Sequence, residues 1–122
     1  MSVLVCVTGQ KSCERLIVIG ARLAEKEKQP LVVMHVARAG DHVLGYKNEA
    51  EALEYLLGIS QQYKADMLVK KSDDVVSAIE NEARERDARV LVAGRAANYS
   101  GWDLLDELRP RLPDVRFEIQ GG

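Results

Sequence analysis

The sequence predicts an α/β fold in which five parallel strands form one open twisted sheet with helices on both faces. Short runs of β-forming apolar residues recur along the chain without polar alternation, which indicates strands that are covered on both faces. Segments with apolar residues at helical spacing separate these runs, so strand and helix alternate. Because crossovers between successive parallel strands are right-handed, this order gives a doubly wound, three-layer domain.

The fifth strand is predicted from a different pattern than the other four. Val115 to Ile119 alternates apolar and polar residues, which is typical of a strand with one wet face or of a strand at a sheet edge. We expect one domain over residues 1–120 and a frayed tail at 121–122. The four buried strands are expected at Val3–Val7, Leu31–Val36, Met67–Val69 and Val90–Ala93.

The first three helices are predicted from apolar spacing and from polar residues placed to cap their first turns. Ser12 is the expected N-cap of the first helix, and Asn48 with Glu51 has capping-box spacing in the second. Gly20 lies in the middle of the first helix, where glycine costs stability, so we expect close packing of this residue on the sheet. The predicted bounds are Cys13–Lys28, Asn48–Tyr63 and Ser72–Arg86.

The fourth helix is predicted to follow the loop after the fourth strand. Its pattern begins near Gly101, and Ser100 with Asp103 has the spacing of a second capping pair. Pro110 and Pro113 are expected to end it, because proline has no N–H to donate and cannot continue a helix.

Composition and charge exclude several classes of function. The chain has 122 residues, of which 47% are apolar, and a formal net charge of −2. It carries neither a basic patch for nucleic acid nor a basic amphipathic helix for a membrane surface. The longest apolar runs are about six residues, against roughly 20 for a membrane span, and the amino terminus lacks the form of a signal peptide. We therefore expect a cytoplasmic protein without a nucleic-acid or membrane partner.

The cysteines and histidines are the residues best suited to metal binding or redox chemistry. Cys6 lies within a strand run, and Cys13 lies in the first turn of a helix, where a thiol pKa can be lowered. Their spacing matches no common zinc or redox motif. His35 and His42 do not provide enough ligands for a metal. We interpret Cys6, Cys13 and His35 as structural residues and predict no metal site.

A ligand site is predicted beyond the carboxyl ends of the strands, where doubly wound sheets bind ligands. The turn into the first helix offers free N–H groups and a helix dipole, which favour anions. Arg95 follows the fourth strand and is placed to hold a phosphate through two hydrogen bonds. The alternatives are a plain turn capped by Ser12 and a solvated Arg95. The candidate ligand-binding residues are Thr8, Gly9, Gln10, Lys11, Ser12, Val36, Gly94, Arg95, Ser100 and Gly101.

The connection at residues 37–47 is long for a strand-to-helix loop, and long loops often carry function. Its polar residues are Arg38, Asp41, His42 and Tyr46. No reaction follows from this set of side chains, and no nucleophile elbow or Glu-x-x-His motif stands elsewhere in the chain.

A family resemblance rests on several segments spread over nearly the whole chain. These segments are Val3–Gly9, Ser12 with Glu14–Ile17, His35–Val36, Ser72–Val75 and Val90–Gly94. In order and spacing they resemble the universal stress protein family, and especially the stress-protein-like domain of potassium-responsive sensor kinases. The resemblance implies the strand order 3-2-1-4-5 and a ligand crevice between the first and fourth strands.

The chain departs from the pattern of the ATP-binding members of that family. They carry Gly-x2-Gly-x9-Gly-Ser/Thr after the fourth strand. Counting from Gly94, the second glycine position holds Ala97 and the third holds Glu107. If Gly101 is taken as the last glycine instead, the loop is about half as long as the motif requires, and Trp102 replaces the hydroxyl residue.

These departures remove groups that bind phosphate. Thr8 also replaces the aspartate that the family places at the end of the first strand. Glycines let backbone N–H groups approach a phosphate closely, and an indole cannot replace a hydroxyl at a phosphate oxygen. The sequence therefore predicts that ATP is not bound tightly in the family's usual manner.

The leading functional prediction is a binding and signalling module with no chemistry of its own. We expect a homodimer through the last strand, where Val115, Phe117 and Ile119 form an apolar stripe, and a regulatory protein partner. The alternative is a stress protein that holds AMP, ADP, ATP or a cyclic nucleotide in the crevice, through residues such as Lys11 and Arg95. An enzyme related to the nucleotide α-hydrolases is a third hypothesis, which would need a base or metal site.

Overall fold

The computed structural model describes residues 1–7, 10–38, 40, 43–45, 47–94, 98–99 and 102–120, with the backbone alone at 10–12, 45, 98–99 and 102–103. The helices are α1 Gln10–Glu27, α2 Glu49–Gln62, α3 Val75–Glu85 and α4 Leu104–Arg111, and a 3-10 turn covers Val43–Gly45. The strands are β1 Ser2–Cys6, β2 Leu31–Ala37, β3 Asp66–Lys71, β4 Ala88–Gly94, β5 Asn98–Tyr99, β6 Trp102–Asp103 and β7 Arg116–Gln120. None of the described helices combines the length and the hydropathy that crossing a membrane requires.

Five of the strands form one parallel sheet in the order β3-β2-β1-β4-β7. β1 lies at the centre, where Val5 pairs with Val33 on one side and with Val92 on the other. With β7 as the fifth strand of this sheet, the predicted fold class and the order 3-2-1-4-5 are confirmed.

A short antiparallel ladder interrupts the connection between β4 and α4. Asn98 pairs with Asp103, and Tyr99 pairs with Trp102. The expectation of a helix that begins near Gly101 is wrong, because Trp102 and Asp103 are extended and α4 begins at Leu104. Strands of two residues are too short for apolar periodicity to reveal them.

Each face of the sheet buries its own apolar cluster. α1 and α2 cover one face, and α3 and α4 cover the other. Val3 and Val5 of β1 belong to the α1/α2 cluster, whereas Leu4 between them belongs to the α3/α4 cluster. Because successive side chains of a strand point to opposite faces, burial on both faces explains the unbroken apolar runs of β1, β2 and β4. The expectation that the run at Met67–Val69 is a buried strand is wrong, because β3 lies at the end of the sheet and is partly exposed.

Gly20 packs against the central strand, as the sequence predicts. A β-carbon at this position would overlap Cγ2 of Val5 and would lie 3.2 Å from Cδ1 of Leu31. The missing side chain therefore lets α1 approach β1 closely. Gly58 of α2 offers a contrast, because a β-carbon there would meet no atom within 4 Å.

Two helix starts differ from those expected. α1 begins at Gln10, so Ser12 lies inside its first turn and the prediction that Ser12 caps the helix is wrong. Gln10 and Lys11 are good helix formers, which favours this earlier start. α3 begins at Val75 and not at Ser72, because the Asp74 carboxylate accepts the Ser77 N–H at 3.0 Å and so acts as the N-cap.

The second helix begins as predicted. The Asn48 side-chain oxygen accepts the N–H of Ala50 at 2.9 Å and that of Glu51 at 3.3 Å. These bonds satisfy two of the N–H groups that a helix start leaves without partners. Asn48 is therefore confirmed as the cap of α2.

The carboxyl-terminal segment agrees with the prediction to within one or two residues. Pro110 lies inside α4 and does not end it; the helix continues to Arg111, and the Leu112 N–H still reaches the Leu108 carbonyl at 3.0 Å. A proline near the end of a helix forfeits a single hydrogen bond there, which is why the helix tolerates it. The strand predicted at Val115–Ile119 is found as β7.

Candidate functional site

The carboxyl ends of β1, β2 and β4 lie side by side, because β1 pairs with both of the other strands in parallel. The chain winds outward from β1 to β3 in one direction and from β4 to β7 in the other, so the strand order reverses between β1 and β4. Open α/β sheets bind ligands at such a point. The amino terminus of α1, at Gln10, lies at this same end.

A small cavity lies below this point, between the sheet and helices α3 and α4. Its volume is about 20 Å³. A cavity needs about 10–15 Å³ on this measure to hold one water molecule, so this one has no room for a nucleobase without displacement of its walls. All its lining side chains are apolar apart from one thiol, and they include Cys6, Met34, Val36, Leu91, Leu104 and Leu105.

The structure places the described members of the predicted ligand set around this crevice. Val36 lines the cavity. Gly94 ends β4 and pairs with Gln120 of β7. A β-carbon on Gly94 would lie 3.8 Å from its nearest neighbours, an ordinary contact, so packing does not require glycine here. Gln10, Lys11 and Ser12 form the first turn of α1; the other five members, Thr8, Gly9, Arg95, Ser100 and Gly101, lie outside the described residues.

His35 is buried on the α1/α2 face, with 4% of its surface exposed. Its Nδ1 lies 2.8 Å from the carbonyl oxygen of Val7, and its Nε2 lies 3.2 Å from the backbone nitrogen of Leu44. Since a carbonyl only accepts and an N–H only donates, Nδ1 carries the proton and Nε2 is the acceptor. Burial lowers the pKa of His35, while the bond to Val7 opposes this shift. The expected structural role of His35 agrees with this geometry.

The long connection after β2 contributes apolar side chains that the sequence analysis did not single out. Val43 and Leu44 are both buried in the α1/α2 cluster. Leu44 has φ 53° and ψ 20°, a left-handed conformation that is rare for a bulky residue. The signal for this burial in the sequence is an adjacent valine and leucine within an otherwise polar loop. The sequence analysis considered only the polar residues of the loop and therefore missed it. Of those, Asp41, His42 and Tyr46 lie outside the described residues.

Both cysteines are buried and belong to opposite faces of the sheet. Burial raises the pKa of the Cys6 thiol to about 12. Burial, with a smaller contribution from the Glu14 carboxylate, raises the pKa of Cys13 to about 11. Both groups are therefore neutral thiols near neutral pH, which agrees with structural roles and not with a reactive Cys13.

Metal ligands do not converge anywhere in the described part of the chain. The opposite end of the sheet holds a cleft of about 330 Å³ lined in part by Arg84, Arg89 and Arg111. The Glu80 carboxylate bridges Arg84 at 3.0 Å and Arg111 at 3.2 Å. The carboxyl termini of α3 and α4 lie here, and arginines there offset the negative ends of the helix dipoles. Stabilisation of the helix ends thus accounts for Arg84 and Arg111 without an anionic ligand, and Arg89 of β4 pairs with the Asp87 carboxylate at 3.6 Å.

The last strand is an edge of the sheet in the described part of the chain, with β4 as its partner. Val115, Phe117 and Ile119 are partly buried and pack against the α3/α4 cluster. The Arg109 guanidinium lies 5.2 Å from the centre of the Phe117 ring. The apolar stripe therefore contributes to the chain's own core, and the groups that β7 offers a second strand are those of its backbone.

The comparisons with known proteins agree with this architecture. No family model matches the chain. The sensor protein KdpD of Mycobacterium tuberculosis is 34% identical over 105 residues, which cover 86% of this chain and 12% of the length of that protein. A universal stress protein from Archaeoglobus fulgidus in complex with dAMP has 17% identity and a TM-score of 0.64, over 99% of this chain and 96% of the other. A universal stress protein in complex with cAMP has 17% identity and a TM-score of 0.63, over 100% and 96%.

These likenesses divide into two kinds. At 17% identity the solved structures establish the shared fold, whereas KdpD is a relative in sequence over a segment of a much longer protein. The resemblance inferred from the sequence motifs is confirmed at both levels. The chain has the fold of the universal stress proteins and is related in sequence to a segment of the sensor protein KdpD.

Proposed function

We propose that this domain is a cytoplasmic binding and signalling module that has no catalytic activity and does not hold a nucleoside triphosphate. The observation that carries the proposal is the crevice itself. The described side chains that line the cavity below it are apolar apart from the Cys6 thiol, so they provide no cation or hydroxyl for a chain of phosphates. In addition, counted from Gly94, Ala97 and Glu107 stand where the ATP-binding pattern has glycines, and Leu108 stands where it has the hydroxyl residue.

The relationship to a sensor protein supports a role in signalling. The segment shared with KdpD is a small part of that protein, so the whole protein's activity is not carried over to this chain. What the relationship favours is a regulatory protein partner. The neutral, buried Cys6 and Cys13 supply no nucleophile, and the described residues supply no metal cluster, which favours binding over chemistry.

The binding prediction is tested by titration calorimetry of the purified protein against ATP, ADP, AMP and cyclic AMP, with thermal shift as a second readout. We expect ATP to give neither heat nor a rise in Tm at millimolar concentration. Saturable binding of ATP with micromolar affinity would contradict the proposal.

Binding of a smaller nucleotide is a second candidate function. The observation that favours it is that two solved structures with this fold contain dAMP and cAMP. In this chain Lys11, Arg95 and Ser100, with the amino termini of α1 and α4, would hold a single phosphate or a diphosphate. Calorimetry would establish this function if AMP or cyclic AMP gives binding heat while ATP does not. The binding heat should be lost in the double variant Lys11→Gln/Arg95→Gln.

We also propose that two copies pair through β7. Its open backbone edge can add a second strand, and Arg116 and Glu118, 3.4 Å apart, give the edge both signs of charge. Because the Phe117 side chain packs against the α3/α4 cluster, backbone hydrogen bonds would supply most of the attraction between the two β7 strands. Light scattering at high micromolar concentration is expected to give the mass of a dimer, and Ile119→Pro is expected to give a monomer, because proline removes a donor from the strand. A monomer in the unsubstituted protein would refute the pairing.

A further inference from the structure

The imidazole of His35 joins three separate parts of the fold. It lies on β2, donates from Nδ1 to the carbonyl of Val7 just after β1, and accepts at Nε2 from the N–H of Leu44 in the Val43–Gly45 turn. The second of these bonds exists only while Nε2 carries no proton. The attachment of the turn to the sheet thus depends on the neutral form of one buried histidine.

The attached turn is under backbone strain. Leu44 adopts a left-handed conformation, which is unfavourable for an L-residue with a β-carbon. Two interactions offset this cost in the folded state: the burial of the Val43 and Leu44 side chains in the α1/α2 cluster, and the hydrogen bond to His35. Loss of the hydrogen bond leaves a strained turn that is held by side-chain packing alone.

The groups around His35 would not stabilise a charged ring. β1 supplies the Val7 carbonyl, and β3 supplies Val69, the register partner of His35. The titratable groups that α1 and α2 bring to the same cluster are the neutral Cys13 thiol and the Tyr55 phenol. Neither is a carboxylate, so a proton at Nε2 would create a buried cation without a counter-ion among the described residues.

The charges at the carboxyl ends of the neighbouring strands do not change this conclusion. Arg38 follows β2, and Lys70 and Lys71 end β3, so the charges nearest along these strands are positive. The carboxylates opposite are already in ion pairs, Glu49 with Lys71 at 2.7 Å and Glu82 with Lys70 at 2.8 Å. Protonation of His35 would therefore gain no stabilisation from this side.

We propose that the hydrogen bond between His35 and Leu44 is an acid-sensitive latch, and that a proton at Nε2 releases the Val43–Gly45 turn from the α1/α2 face while the five-stranded sheet stays intact. Release exposes two apolar side chains beside the end of β2, at the same end of the sheet as the crevice. The device is independent of whether a nucleotide binds.

The direction of the pH dependence follows from the same geometry. Folding lowers the pKa of His35 below its ordinary value of 6.5, because the buried ring is held neutral. The attachment is complete above about pH 6.5 and weakens as the pH falls through that value towards the lower pKa of the folded state. At about pH 5 the ordinary carboxylates are still ionised, so the rest of the charge pattern is unchanged.

The test is hydrogen exchange by NMR, together with a titration of the histidine rings followed through 15N shifts. Protection factors, which remove the intrinsic pH dependence of exchange, are compared at about pH 7.5 and pH 5. The Leu44 amide is expected to lose about tenfold in protection, the size of one net hydrogen bond, with a midpoint that matches the His35 ring. The backbone amides of Val5 and Leu91 in the core are expected to keep the same protection factors at both pH values.

Two variants complete the test. His42→Gln removes the other histidine of the chain and is expected to keep the pH-dependent loss at Leu44, whereas His35→Gln is expected to remove it. If His35→Gln does not fold, the latch is tested in the unsubstituted protein. There the midpoint of the loss of Leu44 protection must coincide with the midpoint of the His35 ring titration. The latch is overturned if Leu44 protection falls only together with that of Val5 and Leu91, if it stays constant while His35 titrates, or if His42→Gln abolishes the effect.

Discussion

Gly20→Ala is expected to lower the free energy of unfolding by about 2–3 kcal/mol, although alanine is the better helix former. The new methyl group would overlap Cγ2 of Val5, a fully buried side chain on the central strand, and would press on Leu31 at 3.2 Å. Overpacking in a close-packed core forces side chains off their rotamers or shifts the backbone. Urea unfolding of both proteins at the same pH measures the difference.

Gly58→Ala is the matched control, because it makes the same change in a helix where no atom lies within 4 Å of the new methyl group. We expect this variant to be more stable than the parent by about 0.5–1 kcal/mol, the propensity gain of alanine over glycine. The double variant Gly20→Ala/Val5→Ala should recover part of the loss, since the overlap is removed. Equal gains from Gly20→Ala and Gly58→Ala would show that α1 does not lie as close to β1 as described.

His35→Ala is expected to lower the free energy of unfolding by about 3–5 kcal/mol near neutral pH. The substitution leaves the Val7 carbonyl and the Leu44 N–H buried without the partner they share, and it removes the volume of a ring that is 4% exposed. Each unsatisfied buried group costs about 1–3 kcal/mol, and the cavity adds to this. Denaturant unfolding at about pH 7.5, where the ring is neutral, gives the value.

His35→Gln serves as the comparison for this loss. A glutamine amide offers one donor for the Val7 carbonyl and one acceptor for the Leu44 N–H, so it can restore both bonds without a titratable group. We expect it to regain at least half of the stability that alanine loses. If His35→Gln and His35→Ala lower the free energy of unfolding by the same amount, packing of the ring stabilises this region and its hydrogen bonds do not.

The sheet was largely predictable from the sequence because its three inner strands, β1, β2 and β4, are buried on both faces. Burial on both sides forces apolar residues at every position, as in Val3 to Val7, and such a run contrasts with the helices around it. The cap at Asn48 was predictable because it depends on a local hydrogen bond within three residues. Gly20 was predictable because a mid-helix glycine has a cost that close packing explains.

The predicted starts of α1 and α3 were wrong, because in each case more than one neighbouring residue could begin the helix. Ser12 has the chemistry of a cap, but the helix formers before it extend α1 to Gln10. Ser72 was expected inside α3; its hydroxyl instead accepts the Asp74 N–H in a turn, and Asp74 becomes the cap. Local propensity ranks such alternatives only weakly, and tertiary packing decides between them.

The position of the candidate site was predictable from the sequence, but the size of its cavity and the contacts of its side chains were not. The reversal of strand order places a crevice between β1 and β4 from topology alone. The size of the cavity depends on how Leu104 and Leu105 of α4 and Met34 of β2 fill it, which no local pattern encodes. The attachment of Leu44 to His35 joins residues nine positions apart through a strained turn, and nothing in their spacing indicates a hydrogen bond.

A crystal structure determined with millimolar ATP is the decisive test of whether the crevice between β1 and β4 binds a triphosphate. We expect no ordered triphosphate at the carboxyl ends of these strands, with Val36 and Leu91 still lining the small apolar cavity. Electron density for β- and γ-phosphates bound by the backbone N–H groups of residues 94–101 would contradict the account.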